Sequence, residues 1–497
     1  MLKFALALAS AVLLVLPGAR ADLAFLAAVA LAPLLYAAAR EPRGWRRFAL
    51  GYAAGIAFWA GTCYWIHFVL EHHAGMSAFM AWLGFAAFLL GKSVQLGVFA
   101  WLAGPAMQTR WAVLAAPALW VAIERTHTWS GFSWLLLGNA GIEMRVPMRL
   151  APFTGVWGLS FVFAATATGL ALVALRRPRR ELIPLAALPL ILILPELPAP
   201  QRGTEVAVLV QPDISESADW TPQWIEQQHE KLLRLSAEAA LKQPGRTPAL
   251  IVWPEAPAPI YYAEDARLRE RINELARNTG AYVVINTVPR TASGEVLNSA
   301  LIVSPEGKPL GQYSKMNLVP FGEFVPWPFR ALVSKISTEA GDFTPGTEQN
   351  LLPAGAHSIG AFVCYESVLP GFVRKFAKSG AEVFVNISND GWFGRSSARE
   401  QHLAIVRMRA AENRRWILRA TNDGITATVD PAGRVWRHLP SFAPGAAETG
   451  FSWVSGTTFY SRHGDWLVWL CALGAAAGVA AGWRRPAAAG GKRAAEQ

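Results

Sequence analysis

The sequence is poor in charge. Asp, Glu, Lys and Arg make up 16% of its 497 residues, and 53% of the chain is hydrophobic, whereas an average soluble protein is about 25% charged. That deficit excludes an ordinary cytosolic enzyme. Cysteine is scarcer still. Of three cysteines, Cys63 and Cys471 lie inside apolar runs, where a buried, inert thiol is expected, so no disulfide framework exists. The chain also lacks a glycine-rich phosphate loop, zinc-type Cys/His spacing and internal repeats.

A surplus of acidic residues is missing as well: the net charge is +11. Nucleic-acid binding would place that surplus on a folded domain. Instead, residues 1–200 hold 15 Lys/Arg against 7 Asp/Glu, the tail 484–497 holds 4 against 1, and 201–483 holds 27 of each. The large polar region is neutral, and the basic residues sit in short loops between apolar runs. This is membrane topology, and no nucleic-acid partner is expected.

The apolar runs are Leu2–Leu16, Leu23–Ala39, Phe48–Leu70, Ser77–Ala103, Trp111–Ile123, Ala151–Leu175, Leu182–Leu197 and Trp466–Trp483. A full crossing takes about 20 apolar residues, so the first, fifth and seventh are short. Arg40, Arg43, Arg46 and Arg47, then Arg110, then Arg176, Arg177, Arg179 and Arg180, and finally Arg484, Arg485, Lys492 and Arg493 follow alternate runs. By the positive-inside rule these loops are cytoplasmic. Both termini are then inside and the long polar region outside, on the periplasmic face of a bacterial inner membrane. The organisation expected is a bundle over 1–198 with about seven spans, a periplasmic domain over 199–464, and a closing helix with a basic tail over 465–497. Lys3, the stretch from Phe4 to Leu16 and Ala19-Arg20-Ala21 also fit a cleavable signal peptide; a retained span is preferred, and the next segment starts outside either way.

Within the polar region, short β-branched runs alternate with amphipathic stretches. Strands are expected at 205–210, 249–253, 282–285, 299–303, 359–363, 382–385 and 416–420, with helices near 222–242, 264–278, 367–378 and 398–415. The pattern is α/β, with sheets covered by helices. Polar residues follow three strands directly: Pro254-Glu255, Cys364-Tyr365-Glu366, and Asn386-Ile387-Ser388-Asn389-Asp390. Strand C-terminal ends are where open α/β sheets hold ligands.

Cys364 therefore sits at a strand end, outside the apolar runs. A nucleophilic thiol needs a base and a donor for the oxyanion, and Glu255 and Lys315 can fill those roles. Each alone has a bland reading, as a structural cysteine, a loop glutamate and a solvated lysine. Together they occupy three motifs: VWPE at 252–255, YSKMNLVPFGEFVP at 313–326 and FVCYE at 362–366. A neighbouring ammonium is expected to favour the thiolate.

On these motifs the sequence resembles the nitrilase superfamily, whose αββα sandwich carries a Glu-Lys-Cys triad. It is most similar to the bacterial apolipoprotein N-acyltransferases within it. The resemblance extends to the multi-span N-terminal half, Gly131-Phe132-Ser133-Trp134, the Asn389-Asp390-Gly391-Trp392-Phe393-Gly394 segment and the single closing span. It implies Glu255 as general base, Lys315 as stabiliser of the tetrahedral intermediate and Cys364 as acylated nucleophile. Glu323 corresponds to an additional glutamate that orients Lys315. Tyr365 and Glu366 are implied as supporting residues, and Trp220 and Trp392 as substrate-binding ones.

The resemblance further implies ping-pong transfer of the sn-1 acyl chain of a phospholipid, chiefly phosphatidylethanolamine. The acceptor is the α-amino group of an apolipoprotein's diacylglyceryl-cysteine. A monomer is expected, with no cofactor or metal. Apolar residues across 320–336 suit a loop dipping into the membrane interface, and Phe329–Phe343 suits a lid that shields the thioester from water. The alternatives are a membrane-tethered amidase or nitrile hydrolase with the same triad, and a transporter or ligand-binding scaffold, against which the scarcity of intramembrane charge weighs. Three further features stand outside these motifs. His72 and His73 lack a third ligand at metal-binding spacing. Lys92, within the fourth run, fits a bundle cavity or snorkelling. Gln401-His402 reads as helix capping ahead of catalysis.

Overall fold

The computed structural model describes residues 1–129, 131–215, 220–242, 247–255, 258–320, 322–324 and 343–484. Two compact units emerge, one drawn from 1–64, 85–196 and the chain from 465 onward, the other from 65–84 and 197–464. The lid expected at Phe329–Phe343 lies outside the described residues except for Phe343. Most of the 320–336 loop and the basic residues Arg485, Lys492 and Arg493 lie outside them too.

The helices of the N-terminal half are α1 (Leu2–Ala19), α2 (Ala32–Arg40), α3 (Gly44–Thr62), α4 (Ile66–His72), α5 (Ala78–Ala106), α6 (Ala112–Trp129), α7 (Ala151–Thr154) and α8 (Val156–Ala174). Among the described residues, five helical segments are long and apolar enough to cross a membrane, or six if α3 and α4 count as one broken span. This is a multi-pass membrane protein. Two expected runs differ. Leu182–Leu197 folds largely as 3-10 turns over Arg179–Ile193, with Pro184 and Pro189 inside them, because proline removes the amide an α-helix would use. The Phe48–Leu70 run breaks at Cys63, where α3 ends.

Small residues set the packing of the membrane unit. A Cβ on Gly51 of α3 would lie 2.2 Å from the Leu96 carbonyl of α5, so only glycine permits that approach. Polar side chains pair across helices at two places: the buried Ser10 Oγ accepts from the Leu34 amide at 2.8 Å, and the partly buried Asp465 accepts from Arg125 Nε at 2.7 Å and Trp157 Nε1 at 2.9 Å. Lys92 does not snorkel. Its ammonium is buried, 2.7 Å from His127 Nδ1 and 5.0 Å from the centre of the Trp59 ring.

The second unit is built on twelve strands: β1 (Glu205–Gln211), β2 (Leu250–Val252), β3 (Tyr282–Thr287), β4 (Ser299–Val303), β5 (Pro309–Ser314), β6 (Leu352–Ala354), β7 (His357–Val363), β8 (Val383–Ser388), β9 (Ile417–Thr421), β10 (Ala427–Val429), β11 (Val435–His438) and β12 (Gly445–Phe451). They form two six-stranded sheets, ordered β12-β1-β2-β3-β4-β5 and β11-β10-β9-β8-β7-β6. The centre of each sheet is parallel, β1 to β3 in one and β7 to β9 in the other. Such strands are covered on both faces and read as continuous apolar runs; β2 and β8 are buried at every residue. The sheets meet through β1 with β9 and β4 with β7. Helices α9 (Pro222–Ala240) and α10 (Ala266–Thr279) contact the first sheet, and α11 (Pro370–Lys378) and α12 (Ala398–Asn413) the second. The result is the αββα sandwich expected. Two of these helices, α9 and α10, start at side-chain caps: Thr221 Oγ1 accepts from the Trp224 amide, and Asp265 from that of Leu268.

Candidate active site

Three strand ends deliver three side chains to one place. Glu255 follows β2, Lys315 follows β5, and Cys364 follows β7 as the first residue of a 3-10 turn over Cys364–Val368. Trp253 Nε1 donates to the buried Ser236 Oγ at 2.8 Å, anchoring the segment that carries Glu255 to α9. The Lys315 amide donates to the Asn298 carbonyl at 2.8 Å, extending the β4–β5 ladder by one residue. Lys315 Nζ lies 3.5 Å from Glu255 Oε1 and 2.8 Å from Glu323 Oε2. The Cys364 thiol lies close enough to the Glu255 carboxylate and Ser388 for both to act on its titration. Lys315 is 1% exposed and Cys364 7%, so this chemistry is shut away from bulk water.

The two glutamates differ in how they are held. Glu323 accepts from Lys315 on one oxygen at 2.9 Å and from the Val319 amide on the other at 2.8 Å. Asn298 Nδ2 bridges the pair, donating to Glu255 Oε1 at 2.7 Å and Glu323 Oε1 at 2.9 Å. The remaining Glu255 oxygen accepts from the Asn389 amide at 3.1 Å. Glu323 is thus fixed to the lysine, whereas Glu255 sits between the lysine and the thiol.

Burial works against charge throughout the site. It pushes the Cys364 thiol up to about 12, the Glu255 charge adds to this, and Lys315 offsets them only in part. This differs from the expectation that the ammonium would favour the thiolate: in the resting site the thiol is neutral. Burial also raises the Glu255 carboxyl above the ordinary range, against the pull of Lys315. For Lys315 itself burial disfavours the charge, but Glu255 and Glu323 outweigh it and hold the ammonium protonated. The arrangement offers a base beside a neutral thiol and a fixed cation beside both.

The supporting residues divide. Glu366 is fully buried and stitches two motifs together: Oε1 accepts from Tyr313 Oη at 2.7 Å and from the Met316 and Asn317 amides at 2.8 and 3.0 Å, while Oε2 accepts from the Val363 amide at 2.9 Å. It locks the lysine loop to the cysteine turn. Tyr365 is buried in that same turn. Trp392 lies over the glutamate loop, with its ring 3.1 Å from where a Cβ on Gly322 would stand. It also stacks on His73, whose ring centre is 4.5 Å away. Trp220 is not brought to the triad; it is 46% exposed at the start of α9 and stacks on Trp224.

Asn298 escaped the sequence reading, Ser388 entered it only as one of the polar residues after a strand, and His73 only as part of an incomplete metal pair. Asn298 precedes β4, which runs antiparallel to β3 and β5. Its start therefore shares a sheet edge with the ends of its neighbours, and an asparagine before an apolar strand was the available signal. His73 comes from a segment between apolar runs, and nothing local ties it to position 392.

The fold is that of a carbon-nitrogen hydrolase domain: the model of that family, described as "Carbon-nitrogen hydrolase", matches residues 207–448. A second model, described as "Apolipoprotein N-acyltransferase N-terminal domain", matches 10–169. The chain is similar to an apolipoprotein N-acyltransferase of Geobacter metallireducens, at 34% identity over 97% of this chain and 95% of that one. It is also similar to one of Azotobacter vinelandii, at 32% over 93% and 91%. Among solved structures, an amidase from Nesterenkonia sp. is similar at 20% identity, covering 50% of this chain and 91% of its own, with a TM-score of 0.38. The chain belongs to the apolipoprotein N-acyltransferase family.

Proposed function

We propose that this enzyme transfers the sn-1 acyl chain of a phospholipid, chiefly phosphatidylethanolamine, to the α-amino group of an apolipoprotein's N-terminal diacylglyceryl-cysteine, through a thioester on Cys364. The observation that supports the reading is the convergence of Glu255, Lys315 and Cys364 from three strand ends, with Lys315 held 3.5 Å from the Glu255 carboxylate that neighbours the thiol. Glu255 takes the thiol proton as Sγ attacks the ester carbonyl. Lys315 stabilises the oxyanion, the type of contribution that is usually the largest electrostatic one in acyl transfer. Collapse of the intermediate breaks the ester C–O bond, and Glu255 returns the proton to the departing glycerol oxygen. In the second half the α-amine attacks the thioester, Glu255 takes a proton from the nitrogen, and Sγ leaves and recovers it. Glu323 holds Lys315 charged throughout, Glu366 and Tyr365 keep the cysteine turn in place, and Trp392 and Trp220 belong to the substrate-binding surface.

Both substrates are membrane lipids, and the basic loops support placing the domain over 199–464 on the periplasmic face of the inner membrane. The bundle over 1–198 and the closing helix over 465–497 then leave both termini in the cytoplasm, and the protein works as a monomer. The test is acyl transfer in mixed micelles of phosphatidylethanolamine and a synthetic diacylglyceryl-cysteine peptide, run beside hydrolysis of a small soluble amide. The reading expects peptide acylation that stops when the phospholipid is omitted. Cys364-dependent amide hydrolysis without peptide acylation would favour a tethered hydrolase instead.

A further inference from the structure

The reaction scheme leaves unused a buried group of polar side chains that converges on Cys364. Ser367, Ser388, Asp390, His402 and Arg419 are all fully buried. Cys364 itself has φ +50°, a left-handed conformation that costs a residue with a Cβ roughly 1 kcal/mol or more. A strained turn at a nucleophile persists only if its surroundings hold it. Ser367 Oγ donates to the Cys364 carbonyl at 2.9 Å and lies 2.7 Å from His402 Nε2. On its other side, His402 Nδ1 is 3.1 Å from Asp390 Oδ1 and 3.2 Å from Arg419 Nη2. Asp390 is itself fixed: Arg419 Nη2 reaches both its oxygens at 2.8 Å, and Ser388 Oγ donates to Oδ1 at 3.0 Å.

Counting hydrogens orients the chain. Ser367 has one hydroxyl hydrogen, and the bond to the Cys364 carbonyl uses it. The 2.7 Å contact with His402 then needs Nε2–H as its donor. The same count weighs against a Ser-His-Asp nucleophile, because it commits the Ser367 hydrogen to a backbone carbonyl, and Ser367 is fully buried. His402 also does not cap its helix, contrary to the sequence reading: it lies inside α12 and faces the cysteine turn. We infer that His402, carrying its proton on Nε2, is a positioning residue that acts through Ser367 to hold the strained Cys364 turn and so aims Sγ at Glu255.

This inference rests on Cys364 being the nucleophile, and its test separates the two. The full-length enzyme in phosphatidylethanolamine micelles is quenched at intervals, and acylation of Cys364 is followed by intact mass. A misaimed nucleophile can cost about 100-fold, so His402→Leu is expected to slow acylation roughly 10- to 100-fold at saturating phospholipid, with the apparent KM within about twofold of wild type. His402→Gln, whose side-chain N–H can replace Nε2–H toward Ser367, recovers most of the rate. Ser367→Ala matches His402→Leu, and the double variant is no slower than either single, as expected for residues acting as one unit. Ser367→Ala also carries the test if His402→Leu fails to fold. Full acylation rates in His402→Leu or Ser367→Ala, a His402→Gln as slow as His402→Leu, or losses that multiply in the double variant would overturn the inference alone. A wild-type enzyme that transfers acyl chains without ever carrying one on Cys364 would remove the nucleophile reading and this inference with it.

Discussion

Buried charge is used differently in the two units. In the membrane unit ionic groups meet singly in structural contacts: Arg125 with Asp465 and Arg177 with Glu181 in partly buried pairs, and the buried Lys92 against His127 and the Trp59 ring. In the catalytic unit, Glu255, Lys315 and Glu323 gather around one thiol, and Asp390, Arg419 and His402 form a second cluster reaching the backbone of the same residue. An isolated buried pair is weak evidence for stability or function. Several charges trained on one reactive atom cost more to bury and are the better mark of chemistry.

The sharpest way to break this comparison is to remove the atom on which the catalytic charges converge. Cys364→Ala is expected to lower acyl transfer by roughly 10⁴-fold or more, the scale on which loss of a covalent nucleophile acts, in an assay of peptide acylation by mass spectrometry. Next come the charges beside it. Lys315→Met should cost about 10²- to 10³-fold, as oxyanion donors do, and Glu255→Gln about 10²- to 10⁴-fold, as general bases do. Glu323→Gln should cost less than either, since of the triad it touches only the lysine.

pH separates the base from its charge. Because burial and the Glu255 carboxylate raise the Cys364 thiol to about 12, thiolate accumulates only at high pH. Iodoacetamide should therefore modify Cys364 more slowly at pH 8 than it modifies a free thiol, and the rate should still be climbing past about pH 10. Glu255→Gln removes the repelling charge, so the alkylation midpoint should move down even as acyl transfer falls. A midpoint that moved up would contradict the assignment of Glu255 to that thiol.

Within the second cluster, the Asp390–Arg419 pair should appear mainly in stability. Despite burial, Arg419 holds the Asp390 carboxyl well below its usual range. A depressed carboxyl contributes stability in full above its unfolded value of about 3.9 and loses it as pH falls through the folded value. Asp390→Asn leaves Arg419 buried without its anion and should cost about 3–5 kcal/mol. Chemical unfolding above pH 5 is expected to show that cost undiminished, and the gap to wild type should narrow only in acid.

The smallest effect on turnover is expected in the membrane unit. Asp465→Asn weakens the Arg125 pair and should lower the unfolding temperature in detergent by a few degrees, about 1–2 kcal/mol for a partly buried pair, with turnover within about threefold of wild type. A large loss of turnover with unchanged stability would erase the distinction between the two units.

What could be read from the sequence follows the range of the forces involved. The central strands β1, β2, β3, β7, β8 and β9 announce themselves because burial on both faces demands continuous apolar runs. The edge strands β5, β6, β11 and β12 do not. Their residues, such as Pro309-Leu310-Gly311-Gln312-Tyr313-Ser314, are half exposed, and β12 finds its partner β1 across more than two hundred residues. The same limit applies at the site. Glu255, Lys315 and Cys364 stand at the ends of strand-like runs and in distinctive motifs. Asn298 stands at the start of a strand whose direction only the sheet reveals, and the bonds between His402 and Ser367 or between His73 and Trp392 join segments with no local relationship.

The central claim is that Cys364 carries the acyl chain between two lipids. The most direct measurement is the intact mass of the purified enzyme after incubation with phosphatidylethanolamine alone, and again after addition of a diacylglyceryl-cysteine peptide. The account predicts a hydroxylamine-sensitive gain of one acyl chain on Cys364, which disappears as the peptide's amine becomes acylated. Peptide acylation at full rate by an enzyme whose Cys364 never gains that mass would contradict it.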